Sequence, residues 1–325
     1  MSRRVLIVGG AGYIGAHCAR ELEENGIEVV IYDNLSTGHQ EAVRSELVVG
    51  DIRDRDTLRK TFEARPYDAV MHFAAKALVG ESVKHPLRYF DVNVGGTATL
   101  LSEMKRAGVE NFVFSSTCAV YGAPDYLPLD EDHPKRPVSP YGESKLMVEQ
   151  MLDAVREREG IRVASLRYFN ASGAHPDGSM GESHNPETHL IPLALQARLG
   201  LRGPLSLFGR DYDTRDGTCI RDYIHVCDLA VAHRLALGSL WDGHHGRAWN
   251  LGTGTGTTVL EVLESIERIT GKAVPYIDAP RREGDPPGLY AAAQQVKSDL
   301  GWVPARASID QIVSDAWSWI QNARY

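Results

Sequence analysis

Arg4-Val5-Leu6-Ile7-Val8-Gly9-Gly10-Ala11-Gly12-Tyr13-Ile14-Gly15 runs a β-branched apolar segment into a cluster of glycines, and a helical pattern follows from Ala16 to Glu24. A strand, a glycine turn and a helix in that order let the backbone approach a pyrophosphate at a helix N-terminus. The glycines fit G-x-x-G-x-x-G through Gly9, Gly12 and Gly15, and G-x-G-x-x-G through Gly10, Gly12 and Gly15. Glycine turns are common, so the context decides. Asn25-Gly26 closes the helix, Glu28 to Tyr32 reads as a second buried strand, and Asp33 stands at its end. An acidic residue at that distance accepts both hydroxyls of an adenosine ribose and repels a 2′-phosphate, which favours NAD over NADP.

Outward from this unit the alternation continues. Glu46 to Gly50 reads as a strand leading to Asp51-Ile52, Asp54 to Ala64 as a helix, and Asp68 to Phe73 as a strand followed by the small residues Ala74-Ala75. Pro86 to Ala107 is a long helical pattern containing Asn93, Asn111 to Ser116 a strand ending in Ser115-Ser116-Thr117, and Arg162 to Phe169 a sixth strand. Strands and helices at this spacing imply an α/β fold, a Rossmann-type doubly wound parallel sheet with its ligand at the strands' carboxyl ends. Gly9, Asp33, Ala74, Thr117 and Tyr141 all fall at that edge.

Beyond Asn170 the stretch to Thr188 is crowded with Gly, Pro, His and Asn, which places a boundary there. Residues 1–170 are expected to form the NAD-binding domain. Residues 171–325 are expected to form a smaller, mixed α/β substrate-binding domain, with some segments returning to the first. Helices are expected near Leu190 to Leu199, Asp228 to Ser239, Thr258 to Thr270 and Ile309 to Gln321, and short strands over Arg221 to Val226 and Ala248 to Gly252.

The 325 residues carry a net charge of -8, and no block of Lys or Arg offers a footprint for nucleic acid or an anionic membrane. The apolar run at Val5–Val8 is too short for a signal peptide or a membrane span, so a cytoplasmic protein is expected. Cys18, Cys118, Cys219 and Cys227 are widely spaced without a C-x-x-C, which argues for reduced thiols. His72 reads as a core strand residue and His244-His245 as a solvated turn. With no second ligand pair at helix spacing, no metal is expected.

Ser139-Pro140-Tyr141-Gly142-Glu143-Ser144-Lys145 places a phenol and an ammonium four residues apart after a proline, on one face of a helix's first turn. Tyrosine titrates near ~10 and is a poor base at neutral pH unless a cation favours its phenolate. Lys145 is placed to be that cation, although a lone Y-x-x-x-K is more often an ordinary helix start.

Four stretches together are more specific: Gly9 to Gly15; His72-Phe-Ala-Ala75 with Val79-Gly-Glu-Ser82; Ser115-Ser-Thr-Cys-Ala-Val-Tyr-Gly122; and Ser139 to Lys145. With Leu166-Arg-Tyr-Phe-Asn170, Asp216 to His225 and Arg281-Arg-Glu-Gly-Asp285, the chain resembles the extended short-chain dehydrogenase/reductase family, specifically its nucleotide-sugar 4-epimerases of the UDP-glucose (UDP-galactose) type. The match runs from Val5 to Trp317. The resemblance implies that Tyr141 is base and acid at the sugar's O4, that Lys145 binds the nicotinamide ribose and lowers the tyrosine pKa, and that Thr117 hydrogen-bonds the same oxygen.

It further implies a tightly bound NAD. Gly9, Gly12, Tyr13, Ile14 and Gly15 would meet the pyrophosphate side, and Asp33, Asn34, Asp51 and Ile52 the adenosine side. Phe73, Ala74, Ala75, Asn93, Ser115 and Tyr168 would join Tyr141 and Lys145 along the rest of the cofactor. For the UDP-hexose it implies Arg221 and Arg282 at the diphosphate, with Asn170, His189, Leu190, Phe208 and Asp285 around the phosphates, uracil and ribose, and Leu289 lining the sugar pocket. Relatives are commonly homodimers through the long helices before the fifth strand and after Tyr141, and Leu146, Met147, Val148 and Met151 permit this.

The chain departs from the family at several points. Val8 stands where many relatives have Thr, Thr117 where many have Ser, and His189 where some have Asn. A lysine found in some members falls at Ala77 here rather than at Lys76. Dehydratases of the same fold place carboxylates directly after the Thr, where this chain has Cys118 and Ala119. Elimination chemistry is therefore disfavoured, as is a non-catalytic NAD-binding protein, since Tyr141, Lys145 and Thr117 are intact. A 4-epimerase of another UDP-sugar, a pentose or an N-acetylhexosamine, is the live alternative. In the family, tyrosine at the position of Leu289 tends to exclude N-acetyl groups and a small residue to admit them.

Overall fold

The computed structural model describes residues 3–282 and 284–325, so Met1, Ser2 and Glu283, the last within the Arg281–Asp285 stretch, lie outside the described residues. In the first half the strands are β1 (Arg4–Val8), β2 (Glu28–Asp33), β3 (Glu46–Val49), β4 (Ala69–His72), β5 (Asn111–Thr117) and β6 (Arg162–Tyr168). A seventh strand, Ala248–Leu251, pairs with β6, and the order across the sheet is Ala248–Leu251, β6, β5, β4, β1, β2, β3, all parallel. β4 and β5 are buried at every position, as continuous apolar runs covered on both faces require. One face packs Val5, Ile7, Leu22 and Ile31 against Leu229, Leu237, Trp249 and Trp302. The other packs Leu6, Val8, Leu58, Phe112 and Leu152.

The chain leaves β1 toward β2 and β3 on one side and returns to β4 on the other, so the order reverses between β1 and β4. A crevice opens at their carboxyl ends. The first helix begins at Tyr13, one turn before the apolar pattern at Ala16 announces it. The long pattern from Pro86 is helical to Arg106 but widens into a π-helical stretch at Phe90–Gly95. Asn93 lies inside it, and its side chain there bonds the backbone N–H and C=O of Lys76 at 2.8 and 3.0 Å. Insertion of a side-chain contact at such a widened turn is a usual reason for one.

The second half builds a third core from the helices Leu190–Leu199, Val259–Thr270 and Ile309–Gln321. Its strands are short: Asn170–Ser172 pairs with Tyr223–His225, Leu205–Phe208 with Tyr276–Ala279, and Ile220–Arg221 lies between Thr257–Thr258 and Gly288–Leu289. The run Arg221 to Val226, expected as one strand, is broken at Asp222. The Asp222 carboxylate accepts from the backbone N–H groups of Thr253, Gly254 and Ala291 at 2.8, 3.2 and 3.1 Å, and so ties two distant segments to this point instead of continuing a ladder. The helix Val226–Trp241 packs on Tyr13–Glu24, so beyond Asn170 a strand and a helix both return to the first sheet.

Candidate active site

The cofactor side is shaped by what glycine lacks. A Cβ on Gly9 (φ +83) would lie 2.3 Å from the Ala74 nitrogen, and one on Gly15 would lie 2.3 Å from the Gly9 oxygen. Only bare backbone lets the β1 turn, the helix start and the end of β4 meet there. Gly12 differs, because its nearest neighbour would stand 3.5 Å away. No side chain caps the helix after it, so the first N–H groups of that helix are available to an anion. Asp33 is buried, and its two oxygens accept from the backbone N–H groups of Ala11 (3.0 Å) and Leu35 (2.8 Å). Burial lifts its carboxyl pKa against the pull of these N–H groups. Each oxygen retains a lone pair for a ribose hydroxyl. These residues fit the pyrophosphate and adenosine of NAD.

The remaining cofactor candidates divide. Ala74 and Phe73 come directly after β4, their N–H groups bonded to the Val8 carbonyl at 3.0 and 2.7 Å, and Ala75 adjoins them, partly buried. The Phe73 ring packs on His233 at 4.9 Å. Asn34 reaches Asp51 at 3.1 Å, and Arg53 takes the other Asp51 contacts. Ile52 is buried against Gly96, where a Cβ would stand 2.6 Å from it. The Tyr13 hydroxyl donates to the Gly173 carbonyl at 2.6 Å, which leaves the backbone of Tyr13 and Ile14 as the part facing the turn. Asn93 is 2 % exposed and its amide bonds Lys76 and Ser144, so it ties the loop after β4 to the Pro140–Glu159 helix.

That helix starts at a proline capped by Ser139, whose hydroxyl accepts from the Gly142 N–H at 3.2 Å. The cap orients the first turn so that Tyr141 and Lys145 lie over the carboxyl end of β5. Lys145 is 3 % exposed and its ammonium donates to the Ser115 carbonyl at 2.9 Å, with the Phe114 ring 4.9 Å away. The Tyr141 phenol faces the Thr117 hydroxyl; burial pushes it up to about 12, and the bond to Thr117 opposes that. Burial lowers Lys145 to about 7, against the attraction of Glu149. The Ser115 and Tyr168 hydroxyls bond one another beside this pair. Cys118 adjoins Thr117 in a 3-10 turn, and burial pushes its thiol up to about 12.

Sequence reading overlooked the support behind Lys145. Glu149, one turn further along the helix, accepts from Ser116 at 2.6 Å and from both arms of Arg167 at 2.8 and 2.6 Å. Arg167 also donates to the Tyr121 hydroxyl at 2.9 Å, which donates to Asn250 at 2.6 Å. Helix, β5, β6 and the seventh strand are thereby joined through buried polar groups. A charged residue inside an otherwise apolar strand, Leu166-Arg167-Tyr168, was the available signal.

On the substrate side Arg221 is ion-paired with Asp285 and also donates to the Ile220 and Pro286 carbonyls at 2.7 and 3.1 Å. Leu289 pairs in register with Arg221 and packs with Phe169, Cys118 and Leu146 beside Thr117. Arg282 lies over the Phe208 ring at 4.1 Å. The Asn170 N–H bonds the Asp222 carbonyl at 2.9 Å. His189 precedes the Leu190–Leu199 helix, and Leu190 packs into the third core. His189 also meets Glu182, His184 and Glu187 in a group that could hold a metal ion, which helix spacing alone did not bring out.

Comparison with known proteins supplies the family. A sequence model of the NAD dependent epimerase/dehydratase family matches residues 5–252. A UDP-glucose 4-epimerase of Rhizobium meliloti (strain 1021) is 50% identical over 319 residues, which cover 98% of this chain and 97% of that protein. The crystal structure of a UDP-glucose 4-epimerase from Brucella ovis in complex with NAD superposes with a TM-score of 0.96 at 49% identity, covering 97% of this chain and 98% of that one. The UDP-Glc/GlcNAc 4-epimerase of Campylobacter jejuni superposes with a TM-score of 0.87 at 37% identity, covering 99% of this chain and 100% of that one. The chain belongs to the NAD dependent epimerase/dehydratase family and, within it, stands among the UDP-glucose 4-epimerases.

Proposed function

We infer that the protein is an NAD-dependent isomerase that interconverts UDP-glucose and UDP-galactose at C4 through a transient 4-keto sugar. The observation that carries this reading is the meeting of Tyr141, Lys145 and Thr117 at the carboxyl end of β5, next to the glycine turn and Asp33. NAD, when bound, supplies hydride acceptance and return at that carbon. Tyr141 removes the O4 proton as base and returns it as acid, and Thr117 holds the same oxygen in line. A tyrosine at about 12 is too weakly acidic to be ionised at neutral pH. Lys145, one turn further along the same helix face, is the group placed to favour the phenolate when it carries its proton, and bound NAD would add the positive charge of its nicotinamide. The sugar must present both faces to the cofactor in turn, so binding energy has to come from the UDP. Arg221 and Arg282 grip the diphosphate, with Asn170, His189, Leu190, Phe208 and Asp285 around the nucleotide.

The assignment of residues 1–170 to NAD and of 171–325 to the UDP-sugar, apart from the returning helix and strand, belongs to the same reading. So does a homodimer. Val79, Val83 and Leu87 are 50%, 63% and 81% exposed and Met147 is 44% exposed, an apolar set on adjoining helices. The setting proposed is cytoplasmic galactose metabolism; among the described residues no helix is long and apolar enough to cross a membrane.

Purified protein incubated with UDP-galactose and no added NAD is expected to form UDP-glucose, and no interconversion at any cofactor level sinks the reading. A panel with UDP-N-acetylhexosamines and UDP-pentoses reports what Leu289 admits. Tyr141→Phe is expected to lower turnover by roughly 10²- to 10⁴-fold, the range for a positioned acid-base group, with bound NAD retained. Near-normal turnover removes Tyr141 from its role.

A further inference from the structure

Glu182-Ser183-His184-Asn185-Pro186-Glu187-Thr188-His189 is an irregular turn that ends as the cap of the Leu190–Leu199 helix. Its two glutamates and two histidines converge, with one ligand-type atom from each lying within 4.8 Å of the others. The glutamate side chains are only 5% and 7% exposed. Two carboxylates buried together require two units of positive charge nearby. Among the described residues no lysine or arginine pairs with either of them; their partners are the two imidazoles.

The geometry is that of a shared centre. His189 Nδ1 stands 2.6 Å from Glu182 Oε1 and 3.0 Å from Glu187 Oε1, while His184 Nδ1 stands 3.1 Å from Glu182 Oε1 and 3.7 Å from Glu187 Oε2. Each Nδ1 therefore faces an oxygen from each glutamate. An imidazole nitrogen carries at most one proton, pointing one way, and serves one such acceptor well. A cation between the four atoms serves all of them. Zinc bonds of about 2.0–2.2 Å to nitrogen and carboxylate oxygen put the corners of a tetrahedron roughly 3.3–3.6 Å apart; the spacings of 2.6, 3.0 and 3.1 Å are shorter than that and the 3.7 Å to the second Glu187 oxygen is slightly longer, so the side chains have to open by a few tenths of an ångström to admit the ion. The Glu187 carboxylate is also held from outside, by the backbone N–H groups of Thr188 at 2.6 Å and His189 at 2.8 Å. Such support is what ligating carboxylates usually have.

We propose that Glu182, His184, Glu187 and His189 bind one divalent first-row transition ion, zinc, through the two Nδ1 atoms and one oxygen of each carboxylate. Four protein ligands leave no open position, so the ion is structural and takes no part in epimerisation. Its place gives it something to hold. The His184 ring meets the Tyr13 ring edge-on at 6.3 Å, and His39 contacts the Ser183 carbonyl at 3.1 Å. The turn thus bridges the glycine turn of the cofactor half and the helix that carries His189 and Leu190.

The test uses full-length, untagged protein, dialysed against a chelator, incubated with excess zinc or magnesium, gel-filtered, and assayed for metal per chain. About one zinc per chain is expected to stay bound, with a thermal midpoint several degrees above the metal-free sample, and no magnesium. His184→Ala and Glu187→Gln are each expected to retain under ~0.1 equivalent of zinc. Should either variant fail to fold, cobalt loaded into the wild type decides, since four tetrahedral N/O ligands give intense visible absorption and six-coordinate cobalt does not. Wild-type retention below ~0.1 equivalent, retention unchanged in folded variants, magnesium held as well as zinc, or a weak six-coordinate cobalt spectrum each overturns the site.

Discussion

Arg167 with Glu149 and Arg221 with Asp285 are both arginine–carboxylate pairs, yet they sit in opposite surroundings. The first pair is 4% and 7% exposed and is held further by Ser116, which donates to Glu149, and by Tyr121, which accepts from Arg167. The second is 13% and 27% exposed, on the two-residue strand that faces Leu289 and at the edge of a loop. A buried pair braced by further hydrogen bonds has little reason to exchange partners, and breaking it strands a charge away from water. A half-open pair can trade one partner for another anion without losing solvation entirely. Chemically similar pairs therefore take different work. One fixes the helix that carries Tyr141 and Lys145 against the strand that ends in Thr117, and the other has the exposure that the proposed diphosphate contact requires.

The difference can be broken most directly at Glu149. Glu149→Ala leaves the Arg167 guanidinium buried without its counter-charge, and unfolding free energy is expected to fall by about 3–5 kcal/mol in denaturant titration. Replacing both residues, Glu149→Leu with Arg167→Met, is expected to recover much of that loss, because no charge is then left unpaired. A single substitution costing under ~1 kcal/mol places this pair in the same class as a surface one.

Arg221→Gln is the matching change on the open side. It is expected to raise the KM for UDP-galactose by roughly 10- to 150-fold, the effect of about 1.5–3 kcal/mol for a hydrogen bond to a charged group, with little change in stability. A loss of stability as large as that of Glu149→Ala, with KM unmoved, makes Arg221 a structural residue and ends the contrast.

How much of this was legible in the sequence depends on the same physics. The parallel sheet could be read because apolar runs buried on both faces look alike whatever they pack against. Gly9, Gly12, Asp33 and Tyr141 could be placed because each lies at or just beyond a strand's carboxyl end or at a helix start, where local chain geometry leaves little choice. The break at Asp222 could not be read, since it depends on N–H groups contributed by Thr253, Gly254 and Ala291, far along the chain. The start of the first helix at Tyr13 was hidden for a local reason, its first turn lying in the glycine cluster where the apolar period is absent. Asn93 shows the same limit in a site residue. Its position in the helix was foreseen, but the engagement of its amide by Lys76 and Ser144 rests on a π-helical widening that no propensity announces. The cluster of Glu182, His184, Glu187 and His189 escaped because ligand spacing on a turn obeys no helical period.

Lys145 carries the contrast into the pH dependence of stability. Burial lowers its ammonium to about 7 in the fold, while in the unfolded chain a lysine titrates near ~10.4. Between these values the unfolded chain holds a proton that the folded one has released, so stability must rise with pH there, by up to about 1.4 kcal/mol per pH unit. Below about 7 both states are protonated; the slope vanishes and the full cost of the buried ammonium is felt. The curve for nucleotide-free wild type minus that for Lys145→Met is expected to climb from near pH 7 and flatten near pH 10. Glu149 acts in the opposite sense by attracting the ammonium, so Glu149→Gln is expected to move the onset of the climb to lower pH. An onset that stays put in that variant separates the buried pair from Lys145, and leaves Glu149 bracing the helix without tuning the charge the helix carries.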